Sequence, residues 1–238
     1  MPTIRDEAIC VRHWDFSETS QTVSLLLRNH GMLRGLAKGA RRERGSFSGG
    51  FDLFTRGEIV AIVKPGKELA TLTEWSLNET FPVIRRSTEA NRAAWYVADL
   101  IGRFLHQPDP HPVTWDATLS ALRALQGGDP VANTILSFQW RVLCDMGYRP
   151  RLDLDGLDGD TLAFSSESGG IVADTGGGDR WRVRRGTIQL LVDLDQSDGE
   201  VPDATDPSTV ERASRLLATW TRDLLGVESV PMRLLFGS

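Results

Sequence analysis

Cysteine is almost absent from this sequence, with two among 238 residues. Cys10 and Cys144 lie 134 positions apart, which excludes a disulfide framework and a CxxC metal pair. We interpret both as free thiols in a reducing cytoplasm, with a single chance disulfide as the alternative.

Long apolar runs are absent as well. The longest aliphatic run, Ile59 to Val63, has 5 residues, whereas a membrane helix needs about 20. The first 20 residues carry 6 charged side chains, which leaves no room for the apolar segment of a signal peptide. We therefore predict a cytoplasmic protein that does not contact a membrane.

The motifs of common catalytic sites are also missing. There is no P-loop, no HExxH and no GxSxG, and the 4 histidines form no ligand pattern. The acidic cluster from Asp153 to Asp160 does not fit a calcium loop, because Leu157 stands at the fifth position and no Glu at the twelfth. These absences predict a protein that is not an enzyme and uses no metal or cofactor. An enzyme that uses these aspartates with a divalent ion is an alternative that metal-dependent turnover would reveal.

Charge is distributed unevenly along the chain. The net charge is −5, but residues 152–210 alone carry 4 basic and 13 acidic side chains. The rest of the chain is therefore mildly basic. Because local charge decides binding to nucleic acid better than the total does, the acidic average does not exclude such a partner.

Residues 4–77 read as short strands divided by turns. Asn29-His30-Gly31 and Pro65-Gly66-Lys67 are compact turn signals. The fourth strand lacks alternation, so we expect it to be buried on both faces. The absence of any helical period between the strands predicts a small barrel of the SH3 or OB type. The predicted strands are Arg5–His13, Thr22–Arg28, Met32–Ala37, Glu58–Lys64 and Glu68–Leu77.

From residue 81 onward the apolar period is helical. Ser87 or Thr88 caps a first helix, which ends by Pro108. Asp129 is the predicted N-cap of a second helix, with Pro130 at its first position and Gly147 at its end. This part of the chain is therefore expected to be mainly a helical bundle.

The last predicted helix begins with a capping box from Ser208 to Glu211 and ends at Gly226. Residues 151–208 interrupt the bundle as an irregular acidic excursion, with a short hairpin or helix around Trp181–Leu194. The predicted fold class is therefore α+β. A barrel domain spans residues 1–80, and a helical domain with this insertion spans residues 81–238.

The strongest chemical signal is a basic run with a net charge of +5 over residues 28–44. It lies at a strand end and in the Gly- and Ser-rich loop that follows. Neutralised phosphates release counterions, so such a run binds nucleic acid; an ordinary solvated loop is the alternative. The candidate DNA-binding cations are Arg28, Arg34, Lys38, Arg41, Arg42 and Arg44.

Aromatic side chains near this run are candidates for stacking on bases. Phe47 lies inside the loop, and Trp14 and Phe16 lie in the first predicted turn. We include Phe47 among the DNA-binding residues, although aromatics at such positions also fill barrel cores. Four other aromatics are assigned to the core: Phe51, Phe54, Trp75 and Phe81.

The basic run carries a family resemblance. The segment LLLRNHGMLRGLAKGARRERGSFSGGFDLFTRGEI, residues 25–59, resembles the N-terminal signature of the RecO family. Further on, LCDMGYRP at residues 143–150 resembles the end of a helix in that family, and Phe164 with Ser168-Gly169-Gly170 resembles a later segment. These matches follow one another in order over most of the chain.

The resemblance implies an N-terminal five-stranded OB-fold barrel and a role in recombinational DNA repair. A family member is expected to bind single- and double-stranded DNA, anneal complementary strands and assist RecA loading in the RecF pathway. Its expected partners are RecR and the C-terminal tail of single-stranded-DNA-binding protein, and its expected location is the nucleoid. The alternative function is a protein-interaction adaptor whose barrel does not grip DNA and whose acidic segment is the contact surface.

The expected tail partner is acidic and ends in Phe, so it needs an apolar pocket beside cations. Residues 81–151 supply apolar helix positions and a positive net charge. Arginines on solvated helix faces are the alternative interpretation. The arginines concerned are Arg85, Arg86, Arg92, Arg103, Arg123 and Arg141.

One departure from the family pattern concerns zinc. Many family members have a four-cysteine zinc site after the Gly-Tyr-x-Pro helix end, but residues 151–174 contain no cysteine here. We therefore do not expect this chain to have the zinc site of the family. Without zinc, we expect this segment to be held by packing or to be mobile.

Overall fold

The computed structural model describes residues 2–42, 45–47, 49–106, 108–174 and 180–237. The chain divides into two compact units, Met1–Gly127 and Gly128–Ser238. In the described residues, the first unit contains a barrel and three helices, and the second contains helices and a small sheet. The first unit includes both the barrel and the helices that follow it. The domain boundary that the sequence predicts near residue 80 stays a prediction.

Five strands of the first unit close into a barrel with the order β1-β2-β3-β5-β4, in which β4 pairs again with β1. Neighbouring strands are antiparallel except for β3 and β5, which are parallel. This confirms the five predicted strands. They are β1 (Thr3–Asp15), β2 (Gln21–Leu27), β3 (Gly31–Ala37), β4 (Arg56–Ile62) and β5 (Ala70–Glu79).

The fourth strand corrects one expectation. Gly57, Ile59 and Ala61 are buried in β4, whereas Glu58 is exposed and Val60 is half-buried. The strand therefore alternates and is not buried on both faces. A barrel strand has an inner and an outer surface, and valine on the outer surface hides the period in the sequence.

The barrel core draws on every strand and on the connection between β3 and β4. Ala8, Cys10, Leu25 and Ile59 are fully buried inside it. The predicted core aromatics are confirmed, since all four are at most 6% exposed: Phe51, Phe54, Trp75 and Phe81.

The helices of the first unit are α1 (Pro82–Arg86), α2 (Thr88–Phe104) and α3 (Pro112–Gly127). Ser87 is the N-cap of α2, because its side chain accepts a hydrogen bond from Ala90 N at 3.2 Å. This confirms the predicted start of that helix. The apolar period alone did not delimit α1 or α3.

The helices of the second unit are α4 (Val131–Asp145), α5 (Arg185–Gln196), α6 (Pro207–Leu225) and α7 (Val230–Phe236). Two caps differ from the prediction. Pro130, not Asp129, is the N-cap of α4. Asp206, not Ser208, caps α6 by accepting a hydrogen bond from Thr209 N at 3.0 Å, since Pro207 fits the first helical position.

The acidic excursion contains more regular structure than predicted. Strands β6 (Thr161–Ser165), β7 (Gly170–Val172) and β8 (Arg180–Arg184) form an antiparallel sheet of order β7-β6-β8, and α5 follows directly. Phe164 is fully buried, stacks on Trp181 at 5.7 Å and meets Trp220 edge-on at 5.5 Å. Packing therefore holds this segment together.

Candidate nucleic-acid interface

The outer surface of β1, β2 and β3 carries a row of polar side chains. Arg12 pairs with Ser24 across β1 and β2, and Ser24 pairs with Arg34 across β2 and β3. Side chains two positions apart on a strand share a face, so Trp14 and Leu36 lie in the next row, on either side of Thr22. The strands thus place two arginines and one tryptophan on the same outer surface.

The cation series continues past the end of β3. Lys38 follows the strand, and Arg41 and Arg42 lie in the next turn, where all three are exposed. Gly39 N donates to Ser20 Oγ at 3.2 Å, and Arg41 N donates to Thr19 O at 3.1 Å. These bonds attach the turn to the β1–β2 loop. We give the name basic face to the outer surface of β1 to β3 together with the exposed residues of the β1–β2 loop and of the turn after β3. Its members are Arg12, Trp14, Phe16, Arg34, Lys38, Arg41 and Arg42.

Buried anchors fix the loop that continues from this turn to β4. Gln21 is 2% exposed, accepts from Phe51 N at 2.9 Å and donates to Phe51 O at 3.2 Å. Trp75 N donates to Ser46 O at 2.7 Å. The described part of the loop is therefore tied to β2 at Phe51 and to β5 at Ser46.

Phe47 has a different role from the one predicted. Its ring is 6% exposed and lies 5.9 Å from that of Phe51 in the barrel core. This corrects the expectation that Phe47 stacks on a base, because a buried ring offers no open surface. The exposed aromatics of the basic face are Trp14, 45% exposed, and Phe16, 65% exposed.

The remaining candidate cations differ in their surroundings. Arg28 forms an ion pair with Glu7 at 3.1 Å, and Arg41 forms one with Asp15 at 2.5 Å. Arg34, Lys38 and Arg42 form no ion pair with any residue that the structure describes. Arg44 lies outside the described residues. The cations best placed for a new anion are therefore those of β3 and the turn after it.

Arg12 is a member of the basic face that the charge pattern did not single out. Asp99 on α2, whose side chain is 8% exposed, pairs with Arg12 at 3.3 Å and with Arg103 at 2.7 Å. The only sequence signal for Arg12 was its shared parity with Trp14. Arg34 lies in the same row as Arg12 but is distant from it in sequence. The row of Arg12, Ser24 and Arg34 could therefore be recognised only in the folded barrel.

The two thiols have no reactive environment. Burial raises the pKa of the Cys10 thiol far above its ordinary value, and burial raises the pKa of Cys144 to about 11. Both thiols are therefore protonated at neutral pH. Neither cysteine forms a disulfide.

The four cysteines that bind zinc in many members of the family that this chain resembles are missing here. Residues 151–174 contain no cysteine. Across the described parts of both units, no three His, Cys, Asp or Glu side chains come together as metal ligands. The residues therefore do not fit a four-ligand zinc site.

The fold defines the class of protein. A closed five-stranded barrel with this strand order and a parallel β3–β5 pair is of the OB type, and a helical part with a small sheet follows it. The family model for the N-terminal part of recombination protein O matches residues 1–81. The model for its C-terminal part matches residues 85–228.

Individual relatives agree with these matches. The chain is 34% identical to the DNA repair protein RecO of Rhodopirellula baltica, over 97% of this chain and 94% of that protein. It is 28% identical to RecO of a Roseiflexus species, over 93% and 81%. It is 29% identical to RecO of Desulfitobacterium hafniense, over 70% and 62%.

The chain belongs to the RecO family of DNA repair and recombination proteins. Members of this family are recombination mediators and not enzymes, which agrees with the missing catalytic motifs. None of the helices in the described ranges combines the length and the apolar composition that a membrane span requires.

Proposed function

We propose that this protein binds single- and double-stranded DNA with its basic face, anneals complementary strands and assists RecA loading in the RecF pathway. The observation that carries the proposal is that Arg34 shares the outer surface of β1 to β3 with the exposed ring of Trp14. The exposed cations Lys38 and Arg42 follow directly after β3, and the exposed ring of Phe16 follows β1. Cations without carboxylate partners attract phosphates, and exposed rings stack on bases. This activity belongs in the cytoplasm, at the nucleoid.

Annealing follows from the same chemistry. Two complementary strands repel each other through their phosphates, and a protein surface that neutralises phosphates lowers that repulsion. Base pairing then proceeds downhill. The proposed activity therefore needs no nucleotide hydrolysis and no cofactor.

The salt dependence of binding tests the electrostatic grip. If four to six phosphates are contacted, the log–log slope of affinity against salt should be roughly −3 to −4 for a single strand, at ~0.7 per phosphate. We expect Arg34→Gln/Lys38→Gln to reduce the magnitude of that slope by about 1.4. Fluorescence anisotropy with a labelled oligonucleotide measures both slopes.

A matched variant separates a local effect from the change in net charge. Arg184 and Arg222 belong to the second unit, so Arg184→Gln/Arg222→Gln removes the same charge elsewhere. This control should keep the slope of the unmodified protein. A slope near zero for the unmodified protein would refute the proposal and favour the alternative of an adaptor that does not grip DNA.

Membership of the RecO family also suggests two protein partners. We propose that RecR is one and that the acidic, Phe-ended tail of single-stranded-DNA-binding protein is the other. Arg85, Arg103 and Arg123 each form an ion pair at 2.7–2.8 Å with Asp52, Asp99 and Glu79, respectively. Arg86 and Arg92 are exposed and form no ion pair with a described residue.

Those two arginines are therefore the better candidates for the carboxylates of the tail. Calorimetry with a synthetic tail peptide, with and without its final Phe, tests the interaction. We expect the peptide that lacks Phe to bind more weakly, because the ring needs a pocket. Equal binding by both peptides would refute a pocket for the ring and leave charge attraction as the only source of affinity.

A further inference from the structure

A groove lies between the basic face and helix α2 in the first unit. It has a volume of about 390 Å³, within the range of pockets that hold small ligands, roughly 300–1,000 Å³. From the barrel it is lined by Arg12, Trp14, Ser24 and Arg34, and from the helix by Gly102. Charged, polar and aromatic groups therefore converge on one concave site.

The helix side of the groove is built from small or apolar residues. Ala98, Gly102 and Leu105 follow the i, i+4, i+7 spacing of one helix face and all line the groove. A Cβ atom added at Gly102 would have no heavy atom within 4 Å. Gly102 is therefore not required for packing, and its lack of a side chain leaves the groove open.

One of the two cations at the groove is held in place by an ion pair, and the other is free to bind. Arg12 is held by Asp99, whose second oxygen accepts from Arg103 Nε at 2.7 Å. Arg34 stands two strands away in the same row and forms no ion pair with a described residue. Two guanidinium groups thus flank the opening, with the half-exposed ring of Trp14 in the adjacent row.

We infer that this groove binds one unpaired base of a single strand, which stacks on Trp14 while Arg12 and Arg34 hold the neighbouring phosphates. The inference rests on the proposed function and deepens it. A base that is paired within a duplex cannot enter a concave site, because its edges and faces are already occupied. The groove therefore selects single-stranded over double-stranded DNA.

Removing bases from the ligand tests this directly. We compare a labelled single strand with the same strand containing a run of abasic positions, which keeps every phosphate. The unmodified protein should bind the intact strand about 5- to 150-fold more tightly, as expected when one base stacks on an aromatic side chain. Anisotropy titrations at one fixed salt concentration measure the difference.

A variant that fills the groove tests its location. Gly102→Leu changes no charge and should weaken binding of the intact strand to the level of the abasic strand. Binding of the abasic strand and of a duplex should not change. Gly186 is the matched control, because it also lies in a helix with no heavy atom within 4 Å of an added Cβ. Gly186→Leu should leave all affinities unchanged.

A second variant keeps the test valid if Gly102→Leu does not fold. Trp14→Ala should cause the same loss, Trp14→Phe should restore most of it, and combining Trp14→Ala with Gly102→Leu should add little. Equal binding of intact and abasic strands by the unmodified protein would overturn the inference and leave the proposed function standing. Failure to bind either strand would refute the proposed function itself.

Discussion

Gly31 shows how a single residue fixes the turn between β2 and β3. Its φ is +68°, and a Cβ atom there would lie 2.0 Å from the backbone oxygen of Asp109. The turn therefore needs glycine for two reasons, a left-handed backbone and the close approach of the segment between α2 and α3. Gly66 has a similar φ of +73°, but a Cβ atom there would meet nothing within 4 Å.

The two glycines make a matched pair for a stability measurement. Gly66→Ala should lower the free energy of unfolding by about 1 kcal/mol, because alanine disfavours the left-handed backbone at this position. Gly31→Ala should cost about 2–4 kcal/mol, because the backbone must also move away from Asp109. Urea unfolding of both variants measures the free energies. Equal losses would show that the close approach at Asp109 does not constrain the turn.

At the scale of elements, an ion-pair chain joins the barrel to α3. Arg56 on β4 pairs with Glu7 on β1 and with Glu79 on β5, and Arg123 on α3 donates two hydrogen bonds to Glu79 at 2.8 and 2.9 Å. The hydrogen bonds from Arg123, followed by those from Arg56, hold the pKa of Glu79 below its ordinary value.

This shift predicts a pH dependence. A carboxyl whose pKa is lowered by folding contributes stability that is complete above its unfolded pKa and is lost as the pH falls through its lower folded pKa. The unmodified protein should therefore lose its advantage over Glu79→Gln as the pH falls below about 4. Urea unfolding at a series of pH values measures this.

Glu74 provides the control on the same strand. Its side chain is 59% exposed and lies 3.8 Å from Arg5, so Glu74→Gln should follow the pH dependence of the unmodified protein closely. If Glu79→Gln and Glu74→Gln behaved alike across this range, the chain from Arg123 to Glu79 would not join barrel and helix energetically.

The elements also show how far sequence reasoning reaches. The five barrel strands were predictable because turn residues such as Gly31 and Gly66 separate them. The sheet β7-β6-β8 was missed, because glycines and aspartates surround short strands whose order depends on the packing of Phe164 against Trp181 and Trp220. Local patterns do not encode such distant contacts.

The candidate site was predictable in part for the same reason. The cations Arg34, Lys38, Arg41 and Arg42 form a dense run that is visible in the sequence. The burial of Phe47 and the alignment of Arg12 with Arg34 depend on tertiary packing and strand register. The sequence therefore identified the charge of the surface and its candidate aromatics, and the fold showed which of those aromatics are exposed and where the groove lies.

For the whole molecule, the absence of cysteine from residues 151–174 predicts that the chain binds no stoichiometric zinc. The small sheet is held by an aromatic core around Phe164 instead. Elemental analysis of protein purified without chelator should find well under one zinc per chain, and a chelator should not change the thermal midpoint. One zinc per chain would show that other ligands form a site.

The central claim is that the basic face grips DNA and brings strands together, and an annealing assay without ATP tests it most directly. The unmodified protein should accelerate the pairing of two complementary labelled strands. Arg41→Glu/Arg42→Glu should abolish this with little change in thermal stability, because an exposed pair such as Arg41–Asp15 contributes about 0–1 kcal/mol.

The control Arg184→Glu/Arg222→Glu, with the same change in net charge, should anneal like the unmodified protein. Annealing is followed by energy transfer between the two labels. Loss of annealing in the basic-face variant alone is the predicted result. Annealing that persisted in Arg41→Glu/Arg42→Glu, or that required ATP in the unmodified protein, would contradict the account.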